Sequence, residues 1–221
     1  MKGQISPTLL CADPLNLGRT IQELNALNIA WYHVDVMDGH FVPNLAFGLQ
    51  WLEAILRNAA HPVYSHFMTD NPEQYIAPSA QMGLDCFIFH LEAVKTPFRM
   101  VQQIKEKGMK VGIAVNPVTP ISSLCPLLPF LDVVTIMAVE PGFSGQKFLE
   151  HSYGKIAELS QLRCGSSPVI EVDGGITPDN CRKCVSYGAD VLVAGAFTLF
   201  RKEGSLQENF ERTCMEMEDS E

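Results

Sequence analysis

Trp31-Tyr32-His33-Val34-Asp35-Val36-Met37-Asp38-Gly39-His40 is an apolar strand that carries an imidazole and a carboxylate into a polar turn. Along a strand, side chains alternate faces, so His33, Asp35 and Met37 point one way while Val34 and Val36 point the other. Burying an imidazole beside a carboxylate is costly unless something satisfies both. A metal ion does so, since neutral imidazole and carboxylate suit zinc, iron or manganese. A His–Asp hydrogen bond inside a folded core is the alternative reading, and the rest of the chain has to decide.

Working outward, the same kind of β-rich apolar run recurs. Gln4–Leu9, Trp31–Met37, Val63–Met68, Cys86–His90, Lys110–Val115, Val133–Met137, Val169–Val172 and Val191–Ala194 are the expected strands. Their spacing of roughly 20–30 residues is that of repeated βα units. Between them the apolar spacing turns helical over Leu15–Leu27, Leu49–Ala59, Pro72–Gln81 (with Asn71 as N-cap), Phe98–Lys107 and Ile121–Leu128, the last broken by Pro126. Phe148–Leu162, Pro178–Tyr187 and Leu206–Met217 follow. Thr177-Pro178 reads as a helix start, and Gly108 and Gly188 as helix stops. Strict alternation implies parallel strands joined by crossovers. In this length the expected architecture is α/β: a (β/α)8 TIM barrel, one domain over residues 1–221. An open doubly wound sheet is the alternative, weakened because no Gly-x-Gly-x-x-Gly or P-loop follows the first strand. The acidic end, Glu216–Glu221, is expected to fray.

Composition narrows the function. The 221 residues are 47% hydrophobic, enough for a sizeable core, and the net charge is -9 with no basic run. That argues against a nucleic-acid backbone or an anionic membrane as partner. An anionic substrate would have to be held locally by backbone N–H groups, a helix N-terminus or a metal. No uninterrupted apolar run is long enough to span a bilayer, and Met1–Pro7 has no apolar signal region. Seven cysteines, an odd number spread along the chain, are expected as reduced thiols of a cytoplasmic protein. Cys181 and Cys184 form a Cys-x-x-Cys without a second pair at zinc-ribbon spacing, and are expected to pack a helix.

In a barrel the chemistry sits at the C-terminal ends of the strands. His33 and Asp35 lie on the second strand, His66 near the end of the third with Met68 after it, Met137 at the end of the sixth, and Asp173 just past the seventh. Ser6 lies on the first. Two histidines and two carboxylates thus converge on one mouth, four ligands of the right types for one divalent ion. Three glycine-rich turns reach the same mouth: Gly142-Phe143-Ser144-Gly145, Gly174-Gly175 and Gly195-Ala196. Barrels often hold phosphate there, on backbone N–H groups that glycine lets approach closely. The histidines at 40, 61, 90 and 151 are expected to be structural.

The chain resembles the ribulose-phosphate 3-epimerase family along nearly its whole length. The resemblance is carried by Ile5-Ser6-Pro7-Thr8-Leu9-Leu10, His33 through Asn44, His66-Phe67-Met68, Asn116-Pro117-Val118-Thr119-Pro120, Pro141-Gly142-Phe143 with Gly145-Gln146, and Val172-Asp173-Gly174-Gly175-Ile176. It implies a ribulose-phosphate-binding type of barrel with one zinc, iron or manganese ion. It implies His33, Asp35, His66 and Asp173 as ligands, with His66 also against substrate. Asp35 and Asp173 would be the acid–base pair, Ser6 a substrate contact, and Met37, Met68 and Met137 site-lining methionines. It further implies a small phosphosugar as substrate, a place in the pentose phosphate pathway of carbohydrate metabolism, and a homo-oligomer. Family members usually have glycine where Ser144 stands, serine where Ala196 stands and proline where Leu49 stands.

The chemistry agrees with the resemblance. Epimerising a carbon beside a ketone means removing a proton from one face and returning one to the other, so two carboxylates on opposite faces can alternate as base and acid. A cation stabilises the enediolate between them. The same reaction on D-allulose 6-phosphate is the nearest rival. A decarboxylase of the orotidine-phosphate type would want a lysine where Met37 stands between Asp35 and Asp38. A non-catalytic phosphosugar-binding barrel would be expected to have lost part of the ligand set, which is complete here.

Overall fold

The computed structural model describes residues 3–163, 165 and 167–218. Eight parallel strands form the ring: β1 (Gln4–Pro7), β2 (Tyr32–Asp38), β4 (Val63–Met68), β5 (Cys86–His90), β6 (Lys110–Val115), β7 (Val133–Met137), β8 (Val169–Asp173) and β9 (Val191–Ala194). A two-residue strand β3 (Leu45–Ala46) pairs antiparallel with the end of β2. The order is β1-β9-β8-β7-β6-β5-β4-β2-β3. Closure comes from β1 pairing with β9 on one side and, on the other, from a parallel bridge between Thr8 and His33. The Ala30 N–H adds a 2.8 Å bond to the Ile5 carbonyl across the same seam.

Among the described residues seven α-helices cover the ring: α1 (Leu17–Asn25), α2 (Leu49–Asn58), α3 (Glu73–Gln81), α4 (Pro97–Glu106), α5 (Ser152–Leu162), α6 (Pro178–Tyr187) and α7 (Leu206–Met217). The apolar spacing that predicts them also seats them. Leu17, Ile21 and Leu24 of α1, and Met100, Val101 and Ile104 of α4, are buried against the outward faces of the strands. Each such side chain contributes about 1.5–3 kcal/mol. The eighth expected helix does not form. Ile121–Leu124 and Leu128–Phe130 are short 3-10 turns, because Pro126 and Pro129 remove the N–H groups that a continuous helix needs. The start and stop signals of α6 hold: Thr177 and Asn180 cap each other's backbone, and Gly188 closes the helix at φ 114°. Cys181 and Cys184 are fully buried on α6, where burial pushes the Cys184 thiol up to about 12, so they pack rather than react. At the acidic end, Glu216 and Met217 complete α7, and 219–221 lie outside the described residues.

The barrel interior is filled in layers. At the base, Trp31 stacks on Tyr64 with ring centroids 4.2 Å apart, among Cys86, Ile88, Ala114, Val133 and Val191. Gly112 gives Ile88 its room, since a Cβ there would lie 2.7 Å from Ile88 Cγ1. Above this apolar plug the inward positions turn polar.

Candidate metal centre and active site

Strand alternation places the polar layer. On β2, Val34 and Val36 pack outward while His33, Asp35 and Met37 face the axis. On β4 the inward residues are Tyr64, His66 and Met68, with Asp35 in register beside His66. Asp173 ends β8 in register with Met137 at the end of β7. Asp38 has a different task. Its carboxylate accepts the N–H groups of His40 at 2.8 Å, Phe41 at 3.0 Å and Asp70 at 2.8 Å, tying the ends of β2 and β4 together.

One atom from each of His33, Asp35, His66 and Asp173 lies within 4.8 Å of the others. His33 Nε2 is 3.3 Å from Asp35 Oδ1 and 3.6 Å from Asp173 Oδ2. His66 Nδ1 is 3.4 Å from Asp35 Oδ1 and 3.6 Å from Asp173 Oδ2. The two ring nitrogens are 3.3 Å apart. Neighbours set the facing atoms. Glu171, fully buried on β8, accepts from Trp31 Nε1 at 2.8 Å and from the Thr135 hydroxyl at 2.7 Å, and His33 Nδ1 sits 3.3 Å from its Oε1. A carboxylate only accepts, so His33 Nδ1 carries a proton, and a neutral His33 turns the lone pair of Nε2 into the site. The Thr8 hydroxyl accepts the Leu10 N–H and donates to Asp35 Oδ2 at 2.6 Å, leaving Asp35 Oδ1 to face the histidines.

The charge balance asks for a cation. Burial works against a charged imidazole at His33, yet the Glu171 and Asp35 carboxylates around it raise its pKa well above the ordinary value. Burial likewise opposes an ionised Asp35, but His33 and His66 hold its carboxyl far below the usual range. Asp173 goes the other way. Burial, with the Asp35 charge adding to it, raises its pKa to about 6. Two carboxylates at one site are thereby pushed apart, the arrangement in which one is held ionised and the other protonated. The donor set of two imidazole nitrogens and two carboxylate oxygens, with the outer nitrogen of His33 anchored by a carboxylate, fits a divalent ion of the zinc, iron or manganese type.

A cleft opens above these atoms. Its wall includes Asp35, Asp173, Met37, Met68, Met137, Gly142, Phe143, Ser144, Gly145, Gly174, Gly175, Gly195 and Ala196, which brings the three glycine turns and the methionines to one mouth. Gly175 takes φ 65°, and a Cβ there would stand 2.5 Å from the Phe148 backbone nitrogen, so this turn admits no larger residue. Two expected substrate contacts sit elsewhere. Ser6 is a correction: it is fully buried below the cleft and its hydroxyl donates to the Trp31 carbonyl at 3.1 Å. Thr8, two residues on along the same face, is the one on the wall. His66 lies fully buried behind Asp35 and is not part of the wall. Of the four histidines read as structural, His61 bonds the Asn25 carbonyl and His151 the Pro117 carbonyl, while His40 stays in its own turn beside the Asp38 carbonyl. His90 does not fit that reading, because it reaches His66. Glu171 and Glu92 were also missed. The signal for Glu171 was present, as a carboxylate at an inward position of an otherwise apolar strand.

Comparison with known proteins follows the same lines. The model of the ribulose-phosphate 3 epimerase family matches residues 4–199. The chain is 41% identical over 194 residues to a ribulose-phosphate 3-epimerase of Treponema pallidum, covering 87% of this chain and 89% of that protein. It is 39% identical over 203 residues to the chloroplastic ribulose-5-phosphate-3-epimerase of Arabidopsis thaliana, covering 90% and 72%. Among solved structures, a mutant tryptophan synthase alpha-subunit from Pyrococcus furiosus superposes with a TM-score of 0.72 at 14% identity over 98% of both chains, a likeness of fold alone.

Proposed function

The chain belongs to the ribulose-phosphate 3-epimerase family, and from that premise we propose that it interconverts D-ribulose 5-phosphate and D-xylulose 5-phosphate, with Asp35 and Asp173 as the acid–base pair. The observation that carries this is the convergence of His33, Asp35, His66 and Asp173 under a cleft walled by three glycine turns. A divalent ion held by these four residues would put positive charge where the enediolate develops. Asp35, held ionised, takes the C3 proton from one face. Asp173, whose carboxyl is raised toward neutral pH, returns a proton to the other face. In the reverse direction the roles exchange. Met37, Met68 and Met137 offer apolar, polarisable packing to the planar intermediate and keep water away. The backbone of Gly142–Gly145, Gly174-Gly175 and Gly195-Ala196 is our choice for the phosphate end, with Ser144 adding a hydroxyl.

Zinc, iron and manganese all suit the donor set. We take residues 1–221 as one barrel domain, because a single sheet contains all the described strands. A homo-oligomer is proposed from the family alone. A cytoplasmic location is supported by the free state of the six described cysteines, and no described helix is long and apolar enough to cross a membrane.

The test is proton NMR in D2O with zinc-loaded protein, given D-ribulose 5-phosphate in one sample and D-allulose 6-phosphate in another. Deuterium entering C3 with formation of the epimer, much faster on the pentulose, is the expected result. Faster reaction on allulose phosphate would transfer the assignment to the six-carbon sugar. No exchange on either sugar, with zinc shown to be bound, would overturn the catalytic reading.

A further inference from the structure

A second line of polar side chains leads away from His66. Its Nε2 lies 2.8 Å from His90 Nε2, and His90 Nδ1 lies 3.3 Å from Glu92 Oε2. The other oxygen of Glu92 accepts the Asn116 backbone N–H at 2.8 Å and the Thr119 hydroxyl. Both imidazoles are fully buried and lie end to end with their planes 24° apart and centroids 4.9 Å apart, and Phe41 covers His90 with centroids 4.6 Å apart.

Hydrogen-bond direction along this line is determined. The Asn116 N–H can only donate, so the Glu92 oxygen it meets must accept. The ionised carboxylate also accepts at its other oxygen, which puts the His90 proton on Nδ1. An imidazolium wedged between a second imidazole and a phenyl ring would be costly, so His90 is read as neutral and its Nε2 as an acceptor. His66 must then carry its proton on Nε2, and the lone pair of Nδ1 is turned toward Asp35 and Asp173. We propose that Glu92, acting through His90, is a positioning residue that sets the tautomer of His66 and so aims its Nδ1 into the metal site. This rests on the metal reading given above. It also makes the loop Asn116–Thr119 part of the support for a ligand that it never touches.

The proposal separates two substitutions that a merely structural role would rank in the opposite order. In Glu92→Gln, the amide oxygen is claimed by the Asn116 N–H, so the amide NH2 faces His90 Nδ1. The line then reverses: His90 donates from Nε2, and His66 is left with its proton on the ligating nitrogen. In Glu92→Ala, His90 is free to keep its tautomer, although Asn116 and Thr119 lose their acceptor. Zinc affinity, measured by chelator competition, is expected to fall roughly 10–100-fold in E92Q, the range for loss of a group that orients a ligand, and to fall less in E92A. Two-bond 1H–15N NMR spectra of the zinc-loaded parent protein, labelled at histidine, are expected to show His66 protonated at Nε2 and His90 at Nδ1. E92Q binding zinc within twofold of the parent, E92A binding more weakly than E92Q, or His90 protonated at Nε2 in the parent would each overturn the proposal. Should E92Q fail to fold, the parent spectra decide. A parent protein that binds no zinc would overturn the metal reading itself, and this inference with it.

Discussion

Replacing Asp173 by asparagine keeps the shape of the site and removes one titrating group, and the consequences can be worked out for stability and catalysis separately. In the metal-free protein the carboxyl moves from 3.8 to about 6, chiefly because it is buried and also because Asp35 carries charge beside it. Between those two values the folded chain holds a proton that the unfolded chain releases. Stability therefore falls as pH rises through this window, by about 3 kcal/mol at 1.36 kcal/mol per pH unit. Asp173→Asn has no such proton to hold. Urea unfolding of metal-free parent and variant at pH 4, 5, 6 and 7 should show the variant gaining on the parent by about 2.4 kcal/mol across that range, the rest of the ~3 kcal/mol lying below pH 4, with most of the gain complete by pH 6. Zinc-loaded Asp173→Asn should lose epimerisation by roughly 10²–10⁴-fold, or about 3–5 kcal/mol of barrier, because one face of C3 has lost its proton carrier. Asp35 is untouched, so the variant should still exchange C3 hydrogen for deuterium in the one epimer whose proton faces Asp35. Epimerisation within tenfold of the parent, or equal exchange from both epimers, would refute the two-carboxylate assignment. A pH dependence of stability identical to that of the parent would refute the raised carboxyl.

Three further outcomes are expected. Glu171→Ala strands the Trp31 Nε1–H, the His33 Nδ1–H and the Thr135 hydroxyl in the barrel interior. At about 1–3 kcal/mol for each buried group left unpaired, it should cost about 3–9 kcal/mol in chemical denaturation, whereas Glu171→Gln, which keeps one acceptor oxygen, should cost much less. Gly175→Ala must move the Phe148 backbone or leave φ 65°, at about 1–3 kcal/mol; in steady-state assays KM should rise more than kcat falls if this turn holds phosphate. Dialysis against a chelator should lower the midpoint of thermal unfolding, and zinc restored to 100 times its Kd should return about 2.7 kcal/mol; equal midpoints with and without zinc would count against a resident ion.

Much of this molecule was legible in one dimension. Short apolar runs of β-branched and aromatic residues, whose side chains alternate faces, located all eight barrel strands, five of them at their observed bounds, because a strand buried on both faces leaves an unbroken apolar signature. The same alternation put His33, Asp35 and Met37 on one face and brought His66 and Asp173 to the same mouth. Local chemistry also set where α6 begins and ends, since a Thr-Pro start and a glycine stop act through their own backbone. Local signals misled where the competing rule was also local: helical spacing over Ile121–Leu128 lost to Pro126 and Pro129, which lack the N–H groups a helix requires. Other features were decided only in three dimensions. Ser6 and Thr8 share a strand face, and only the height of that strand in the ring makes Thr8 the cleft residue. Which nitrogen of His33 or His66 meets the site depends on Glu171, His90 and Glu92, the first of them well over 100 residues from its partner. A residue's type and its face are properties of the local chain. Its depth in the barrel, its tautomer and its charge are set by groups that become neighbours only when the ring closes.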